Sequence, residues 1–463
     1  MRKFCAAVFI FFPFFLQAQL SYNMQLLGRW TNDSLPSLSN PSGQRFNELW
    51  GYFDSATSKE YIIMGSIDSI YFFDVSNPAS IKLCDVESGR SRNAVNRDFQ
   101  TYKHYAYAVV DQGVGSLQIF DLQYLPDSVH KVYDSDTLGF RTHTICISGD
   151  KMFMASNRTL SKGFKAMTVV SLAQPDSPAF IADLIPPMVN GTPMFYVVHD
   201  VTVVNDTAYC SNGNEGLFIY DYRNPLNPVL ISAITAYPEK GYNHNSWLTE
   251  DGKYMIFTDE TAGTGVKLYD IHNVRSPQLS TIFRSHVGAI AHNPFIKGNY
   301  AYLSYYHDGV YVFDISDKEK VTLRGFYDTY TTNTNYQGFL GCWGVYPYLP
   351  SGNIFASDMS NGMFALKLSN SGVGISSEPR LINFDVYPNP ARNQLHINFL
   401  VTESDDITLR LLDLHGKELM SKELTANIGK NSIDIQIGDL ASGAYILQAQ
   451  NSGEVARQIV IVN

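Results

Sequence analysis

Four histidines open four successive repeats of the chain, and they are the residues best suited to chemistry. They are His143, His199, His244 and His292, each followed by a short apolar stretch and a polar turn. Neutral imidazoles that converge on one point are good ligands for a transition metal such as Zn, Fe, Cu or Ni. A histidine at a repeated strand position can equally be structural, with its ring hydrogen-bonded to the backbone of the neighbouring repeat. A third interpretation is that the four rings contact a small organic ligand.

The other repeats open with residue types that are also suited to binding. Trp50, Arg97 and Trp343 occupy the corresponding positions. The arginine is suited to a carboxylate or phosphate ligand, or else it pairs with a nearby acid. The tryptophans offer flat faces for a sugar, or else they seal the join between the first and last repeats. Polar residues after the opening positions complete the predicted ligand site: Asp98, Asp200, Asn245 and Asn293.

Short strands must position these residues. Seven repeats, each about 45 to 55 residues long, contain apolar stretches of about four to seven residues joined by Asn, Asp and Gly turns. A repeat of this length predicts a β-propeller with one blade per repeat over residues 19–368. If each first strand lines the central channel, the four histidines face one another across it. Loops after the second strands are expected to reach the same mouth with Asp111, Glu215, Asp259, Glu260, His307, Asp308 and Asp358.

The ends of the predicted propeller leave one ambiguity. Either Trp50 opens a first blade, or residues 24–29 complete the last blade as a closing strand and so join the two ends of the circle.

Composition narrows the class of protein. The chain has 463 residues, a formal net charge of −10 and a pI near 5.5, with no cluster of Lys and Arg, so we expect no nucleic-acid partner. A basic start, a short apolar stretch and a small residue at Ala18 predict a signal peptide over residues 1–18. No later apolar run is long enough to span a bilayer, so no transmembrane segment is expected.

Other signals of chemistry are weak. Beyond the leader, the cysteines Cys84, Cys146, Cys210 and Cys342 are too widely spaced for a zinc pattern, and the sequence leaves their disulfide state open. The chain has no His-Glu-x-x-His pair, no Gly-x-Ser-x-Gly elbow and no glycine loop for phosphate. The catalytic residues, if the protein is an enzyme, are not identified by any motif.

The last part of the chain reads as a separate domain. Residues 369–380 are rich in Ser and Gly and predict a linker. Residues 381–463 show their own alternation and predict a small β-sandwich. Three segments of this tail form a recognisable set: Val386-Tyr387-Pro388-Asn389-Pro390, Leu412-Asp413-Leu414-His415-Gly416-Lys417 and Leu440-Ala441-Ser442-Gly443-Ala444-Tyr445.

These segments resemble the type A sorting domain of the type IX secretion system of Bacteroidota. The resemblance implies handling by that secretion machinery through residues 381–463, export across the outer membrane and removal of the tail. It also implies a product that is extracellular, either secreted or attached to the outer-membrane surface, with surface lipopolysaccharide as a possible anchor.

The repeats themselves resemble the choice-of-anchor B family, also described by LVIVD repeats, over about residues 25–368. The matching segments begin at Asn96, His199, His244, His292 and Trp343. This resemblance implies a propeller fold and a surface address, and it implies no particular reaction.

We therefore expect an all-β protein, a seven-bladed β-propeller followed by a small β-sandwich sorting domain. The favoured function is binding of an unidentified small molecule, glycan or protein on the face that carries the histidines. The first alternative is a metal-dependent hydrolase or oxidase that uses His143, His199, His244 and His292. The second alternative is a structural scaffold at the cell surface. Convergence of three or more imidazole nitrogens on one point would favour the metal-dependent enzyme.

Overall fold

Antiparallel sheets account for nearly all of the regular structure in this computed structural model, which describes residues 21–332, 335–369, 381–451 and 453–463. Within these residues, seven sheets of four or five strands follow one another along the chain as blades 1 to 7. The strands of blades 1 to 4, from the first to the last, are Phe46–Asp54, Lys59–Ser66, Ser69–Asp74 and Lys82–Ser88; Arg97–Tyr102, Tyr105–Val110, Leu117–Asp121 and His130–Ser135; Thr144–Ser148, Lys151–Thr159, Gly163–Ser171 and Ala179–Asp183; Asp200–Val204, Thr207–Ser211, Leu217–Asp221 and Val229–Ile234.

Blades 5 and 6 repeat the pattern, and blade 7 takes its last strand from the start of the chain. Their strands are Asn243–Leu248, Tyr254–Asp259, Val266–Asp270 and Gln278–Phe283; Ala291–Lys297, Tyr300–Tyr305, Gly309–Asp314 and Thr322–Tyr327, with Ser21–Tyr22 added at the edge; Cys342–Tyr346, Ile354–Asp358, Gly362–Leu368 and Met24–Trp30. A short hairpin, Met188–Val189 with Thr192–Pro193, and a 3₁₀ turn at Pro78–Ser80 lie between blade strands.

The circle closes through the N-terminal segment. Met24–Trp30 pairs antiparallel with Gly362–Leu368, and Trp30 packs against Phe73 of blade 1 with ring centroids 4.6 Å apart. Phe46–Asp54, which contains Trp50, is nevertheless the first strand of blade 1. The closing strand and the first strand of blade 1 are therefore different segments, and blade 1 begins at Phe46, four residues before Trp50.

Turn chemistry explains how one strand leads to the next. In blade 4, Asn205 and Asp206 both adopt positive φ, the conformation that a two-residue hairpin turn requires. Five of the seven third strands end in an aspartate whose carboxylate accepts the backbone N–H two residues later, as Asp221 does from Arg223 and Asp314 from Ser316. These aspartates cap the connector that leads to the outer strand.

Apolar side chains pack between neighbouring blades. Tyr107 and Ile119 of blade 2, for example, share one buried cluster with Met152, Met154 and Val170 of blade 3. Cys146 and Cys210 lie together in the cluster between blades 3 and 4. All four cysteines in the described chain are free thiols. The structure therefore obtains its rigidity from sheet-to-sheet burial.

The tail forms two facing sheets with their own core. The three-stranded sheet holds Leu381–Tyr387, Gln394–Val401 and Gly429–Gln436; the four-stranded sheet holds Glu418–Ala426, Asp405–Leu412, Gly443–Gln450 and Val455–Val462. Its edge contacts blade 6, where the Leu323 N–H donates to the Thr402 carbonyl. The predicted signal peptide and, apart from Ser369, the predicted linker lie outside the described residues.

Candidate functional site

Side chains from the first strands of the blades surround a cavity of about 780 Å³ at the centre of the propeller. Several of these strands carry a β-bulge near their start, for example between Asn243 and Asn245 and between Ala291 and Pro294. A bulge lets two consecutive side chains approach the cavity where regular pleating would turn one of them away. The bulges thus allow His244 with Asn245, and His292 with Asn293, to line the same wall.

The four histidines form the uppermost layer, called here the imidazole tier: His143, His199, His244 and His292. Successive ring centroids are 4.2, 4.4 and 4.4 Å apart, and Trp343 continues the row 5.0 Å beyond the last ring. The tier is therefore an arc of neighbouring rings along consecutive blades. The rings come from four consecutive blades of the seven, blades 3 to 6. That they face one another across the channel stays a prediction.

Backbone carbonyls of the next blade orient this tier. His199 Nδ1 lies 3.2 Å from the His244 carbonyl, and His292 Nδ1 contacts the Trp343 carbonyl. A carbonyl only accepts, so these Nδ1 atoms must carry the proton and the Nε2 atoms keep their lone pairs. The rings consequently join blades, as the structural interpretation expected, and still offer acceptor nitrogens.

Charge is unevenly distributed along the tier. Burial lowers the pKa of His143, but the hydrogen bond and charge of Asp111, 2.6 Å away, outweigh burial and raise the pKa overall. Burial and the neighbouring rings lower the pKa values of His199 and His244 well below the ordinary value. Burial also lowers the pKa of His292 to about 3. The raised pKa at His143 favours the protonated imidazole at that end of the arc, and the lowered pKa values favour the neutral imidazole in the other three rings.

A second layer, the carboxyl tier, lies deeper and consists of Glu48, Asp98 and Asp200. Burial is the main cause that raises their pKa values, to about 8, 7 and 8 respectively. Asn293 donates to Glu48 and accepts from Asn245 Nδ2 at 3.2 Å. Near neutral pH this tier therefore offers hydroxyl and amide donors as well as acceptors.

Aromatic rings form the deepest layer, called here the aromatic floor: Trp50, Trp247 and Phe295. The centroid of Phe295 lies 6.0 Å from Trp50 and 4.6 Å from Trp247. At the opposite end, Trp343, Phe339 and Leu340 contribute apolar surface to the mouth. The cavity thus has a polar wall between two apolar ends.

Most of the predicted ligand residues line this cavity, but Arg97 does not. Asp98, Asp200, Asn245, Asn293 and both tryptophans are lining residues, as are all four histidines. Arg97 is buried between blades, where its guanidinium donates to the carbonyls of Ser66, Ile67 and Ser91. The side chain that reaches the tier from blade 2 is Asn96, which donates to the His143 carbonyl at 2.8 Å. A shift of one residue along a strand exchanges the two faces, and this shift separates Asn96 from Arg97.

Trp50 also belongs to a layer other than the one predicted. The bulge of blade 1 lies between Phe46 and Leu49, so Asn47 and Glu48 correspond to His292 and Asn293 of blade 6. Trp50 therefore corresponds to Phe295 and lies on the aromatic floor. The sequence signal was present, since an aromatic residue follows His244 and His292 at the third position and follows Asn47 in the same way.

Only part of the predicted loop set reaches the cavity. Asp111 and Glu260 line it. Asp259 instead pairs with Lys267 at 2.6 Å, and both side chains are fully buried inside blade 5. Adjacent strand residues point to opposite faces, which separates Asp259 from Glu260. The remaining loop residues, Glu215, His307, Asp308 and Asp358, are not among those that line the cavity.

Two imidazoles and one carboxylate come close enough to share a metal ion. One ligand atom from each of His199, His244 and Glu260 lies within 4.8 Å of the other two. His143 and His292 are not part of this group, and a metal site formed by all four histidines stays a prediction. Glu260 belongs to the loop residues that the repeat pattern placed at the mouth, but the sequence did not assign it to the metal ligands.

Fold and cavity together define an all-β propeller with a central site of small-molecule size. Family models for two segments match this chain: the LVIVD repeat at residues 290–329 and the Secretion system C-terminal sorting domain at residues 385–463. The chain thus contains an LVIVD repeat within a β-propeller and ends in a type IX sorting domain, as predicted. Membership of the choice-of-anchor B family stays a prediction. No curated protein matches the chain.

Solved structures support the fold. The WD40 β-propeller domain of Doa1 matches with a TM-score of 0.50 and 11% identity, covering 75% of this chain and 98% of that chain. A putative 6-phosphogluconolactonase from Bacteroides fragilis has 12% identity, covers 85% of this chain and 99% of its own, and has a TM-score of 0.48. The periplasmic gluconolactonase of Pseudomonas aeruginosa has 13% identity, coverages of 84% and 99%, and a TM-score of 0.48. At this identity the likeness to the Doa1 domain concerns the fold alone.

The sorting domain indicates export by the type IX system to the cell surface or the medium. In the described part of the chain, no helix combines the length and apolarity needed to cross a membrane.

Proposed function

We propose that this protein is an exported binding protein that takes a small, uncharged, polyhydroxylated molecule, such as a sugar or the end of a glycan, into the central cavity. The observation that supports this proposal is the layered wall of the cavity, with imidazole and carboxyl tiers above an aromatic floor. A volume of about 780 Å³ is within the range of small-ligand sites. This volume suits a ligand of small-molecule size, so we favour a small molecule over a protein partner.

The chemistry of the wall favours hydroxyl groups over charges. A hydroxyl group both donates and accepts hydrogen bonds. The side-chain amides of Asn245 and Asn293, and the protonated carboxyl groups of the carboxyl tier, can likewise do both. The flat faces on the aromatic floor suit the apolar face of a sugar ring. An anion would meet Asp111 and the carboxyl tier without the arginine that sequence analysis had placed there.

The test is a binding titration on the full chain. Three of the four tryptophans, Trp50, Trp247 and Trp343, line the cavity, so sugars and polyols that enter it should change the intrinsic fluorescence. We expect saturable binding for at least one member of a mono- and oligosaccharide panel. Asn245→Ala should weaken that binding about tenfold, because a buried polar contact is worth about 1 to 3 kcal/mol.

The matched control is Asn227→Ala, which removes an exposed amide from an outer connector and should leave the affinity unchanged. No saturable binding across the panel, or equal binding by Asn245→Ala and the wild-type protein, would contradict the proposal. In that case the structural-scaffold interpretation becomes the better one.

A metal-dependent hydrolase or oxidase is the second candidate function, and the grouping of His199, His244 and Glu260 favours it.

We also propose that the exported propeller is held at the cell surface, with lipopolysaccharide as the anchor. Release of the protein into the medium by intact cells, with none in the outer-membrane fraction, would contradict that anchoring.

A further inference from the structure

The mouth of the cavity brings together three groups that are typical ligands of a divalent transition metal. One atom each from His199, His244 and Glu260 lies within 4.8 Å of the other two. Ligand atoms around a tetrahedral zinc ion are roughly 3.4 Å apart, given bonds of about 2.0 to 2.2 Å. Side-chain rotations that close the group by up to about 1.4 Å would therefore complete the coordination.

A backbone carbonyl orients one of the two imidazoles, that of His199, for this role. The Nδ1 proton of His199 is committed to the His244 carbonyl at 3.2 Å, which leaves Nε2 as the nitrogen with a free lone pair. His244 Nδ1 is buried with no hydrogen-bond partner among the described residues. A hydrogen bond such as that of His199 Nδ1 to a backbone carbonyl fixes the tautomer and direction of a metal-binding histidine.

Glu260 has support of its own. Its backbone N–H donates to the Tyr242 carbonyl at 2.8 Å, and Tyr306 Oη donates to its carboxylate at 2.5 Å. His292 Nε2 lies 3.8 Å from the same carboxylate oxygen. A carboxylate held by a tyrosine hydroxyl beside two imidazoles has a fixed oxygen to present to a cation, and its second oxygen stays available.

We infer that His199, His244 and Glu260 bind one divalent transition-metal ion, with Zn²⁺ as the best fit to two nitrogens and one carboxylate oxygen. Three protein ligands leave at least one coordination position for a ligand oxygen from the cavity, as in catalytic zinc sites. This inference goes beyond the proposed function, since the ion would bind whether or not an organic molecule follows it.

The test uses the full chain without a histidine tag, cleared of metal by a chelator and titrated with Zn²⁺ by calorimetry. Co²⁺ is added in a parallel sample because its visible absorption reports nitrogen and oxygen coordination. We expect one equivalent per chain. Glu260→Gln and His199→Gln should each lower the Zn²⁺ affinity at least tenfold, and Tyr306→Phe should lower it less, since it removes only an outer contact.

The control is His272→Gln, which removes an exposed histidine that is paired with Asp270 at 2.8 Å on the outer surface. It should retain full affinity, and far-ultraviolet circular dichroism should show that each metal-free variant is folded. No bound Zn²⁺ or Co²⁺ in the wild-type protein, or equal loss in His272→Gln and Glu260→Gln, would overturn the inference.

The fluorescence titration with sugars, repeated in chelator, separates this inference from the proposed function. Sugar binding without metal binding would overturn the metal site alone. Metal binding without sugar binding would support the metal site and contradict the proposed ligand class.

Discussion

Replacing Glu48 by Gln should stabilise the protein at high pH and have little effect at low pH. Glu48 is buried, and burial is the largest cause that raises its pKa from 4.5 to about 8, followed by the charge of Asp98. The folded state therefore binds the Glu48 proton more tightly than the unfolded state does. A carboxyl group of this kind contributes its full stability below the unfolded pKa, and that contribution is lost as the pH rises towards the folded pKa.

The size of the effect follows from the shift. A difference of about 3.5 pKa units corresponds to about 5 kcal/mol, and about 4 kcal/mol of it develops between pH 5 and pH 8.5. Glutamine stays neutral at both pH values and escapes this loss. It forms the hydrogen bond with Asn293 only after an amide flip, which costs about 1 kcal/mol. The net gain of Glu48→Gln over the wild-type protein should thus be about 3 kcal/mol at pH 8.5.

The assay is urea unfolding of both proteins at pH 5 and pH 8.5, followed by tryptophan fluorescence. Glu319→Gln, which neutralises an exposed glutamate, is the matched control and should show no pH-dependent difference from the wild-type protein. If the stability difference between Glu48→Gln and the wild-type protein were the same at both pH values, Glu48 would not carry a raised pKa. The description of the carboxyl tier as protonated near pH 7 would then be refuted.

Three further changes test the packing around the site. Asp259→Asn should destabilise the protein by about 3 to 5 kcal/mol in urea unfolding, because it leaves the Lys267 ammonium buried without its partner; equal stability would contradict this. Arg97→Lys should cost about 2 to 3 kcal/mol in the same assay, since one ammonium cannot reach the carbonyls that the guanidinium joins, and a cost near zero would return Arg97 to the list of ligand residues. Lys430→Met should speed proteolytic release of the sorting domain, because Lys430 Nζ pairs with the buried Asp308 at 2.9 Å, whereas the exposed control Lys422→Met should not.

The fold could be predicted well from the sequence because the blades repeat the same order of short strands and turns. Strands, turns and, in most blades, a capping aspartate recur, and each of these features is determined by residues close to it in the chain. Closure of the circle was less certain from sequence, because it depends on pairing between Met24–Trp30 and Gly362–Leu368, which lie at opposite ends of the propeller. The tail was recognised from its motifs, and residues 385–463 match the expected domain.

The site was harder to predict because it depends on register. The repeat pattern locates the start of a blade to within one or two residues. Whether a side chain faces the cavity or the neighbouring blade changes with a shift of a single residue. Asn96 and Arg97 show the consequence. Glu48 and Trp50 show it too, because the bulge of blade 1 determines which layer each of them joins. The repeat placed Glu260 at the mouth but did not predict its approach to His199 and His244, because its carboxylate is held by Tyr306 of the next blade.

The charge of the cavity differs from that of the whole chain, and this difference bears on which ligands enter. The protein carries a formal charge of −10, yet the raised pKa values of Glu48 and Asp98, about 8 and 7, keep much of the carboxyl tier protonated at neutral pH. A protonated carboxyl group is a hydrogen-bond donor, and it neither attracts a cation from a distance nor repels a hydroxyl. An uncharged ligand should therefore bind best below about pH 7 and weaken as these groups ionise, whereas a cationic ligand should show the opposite trend. The pH dependence of affinity thus distinguishes the two ligand classes independently of any particular sugar in the panel.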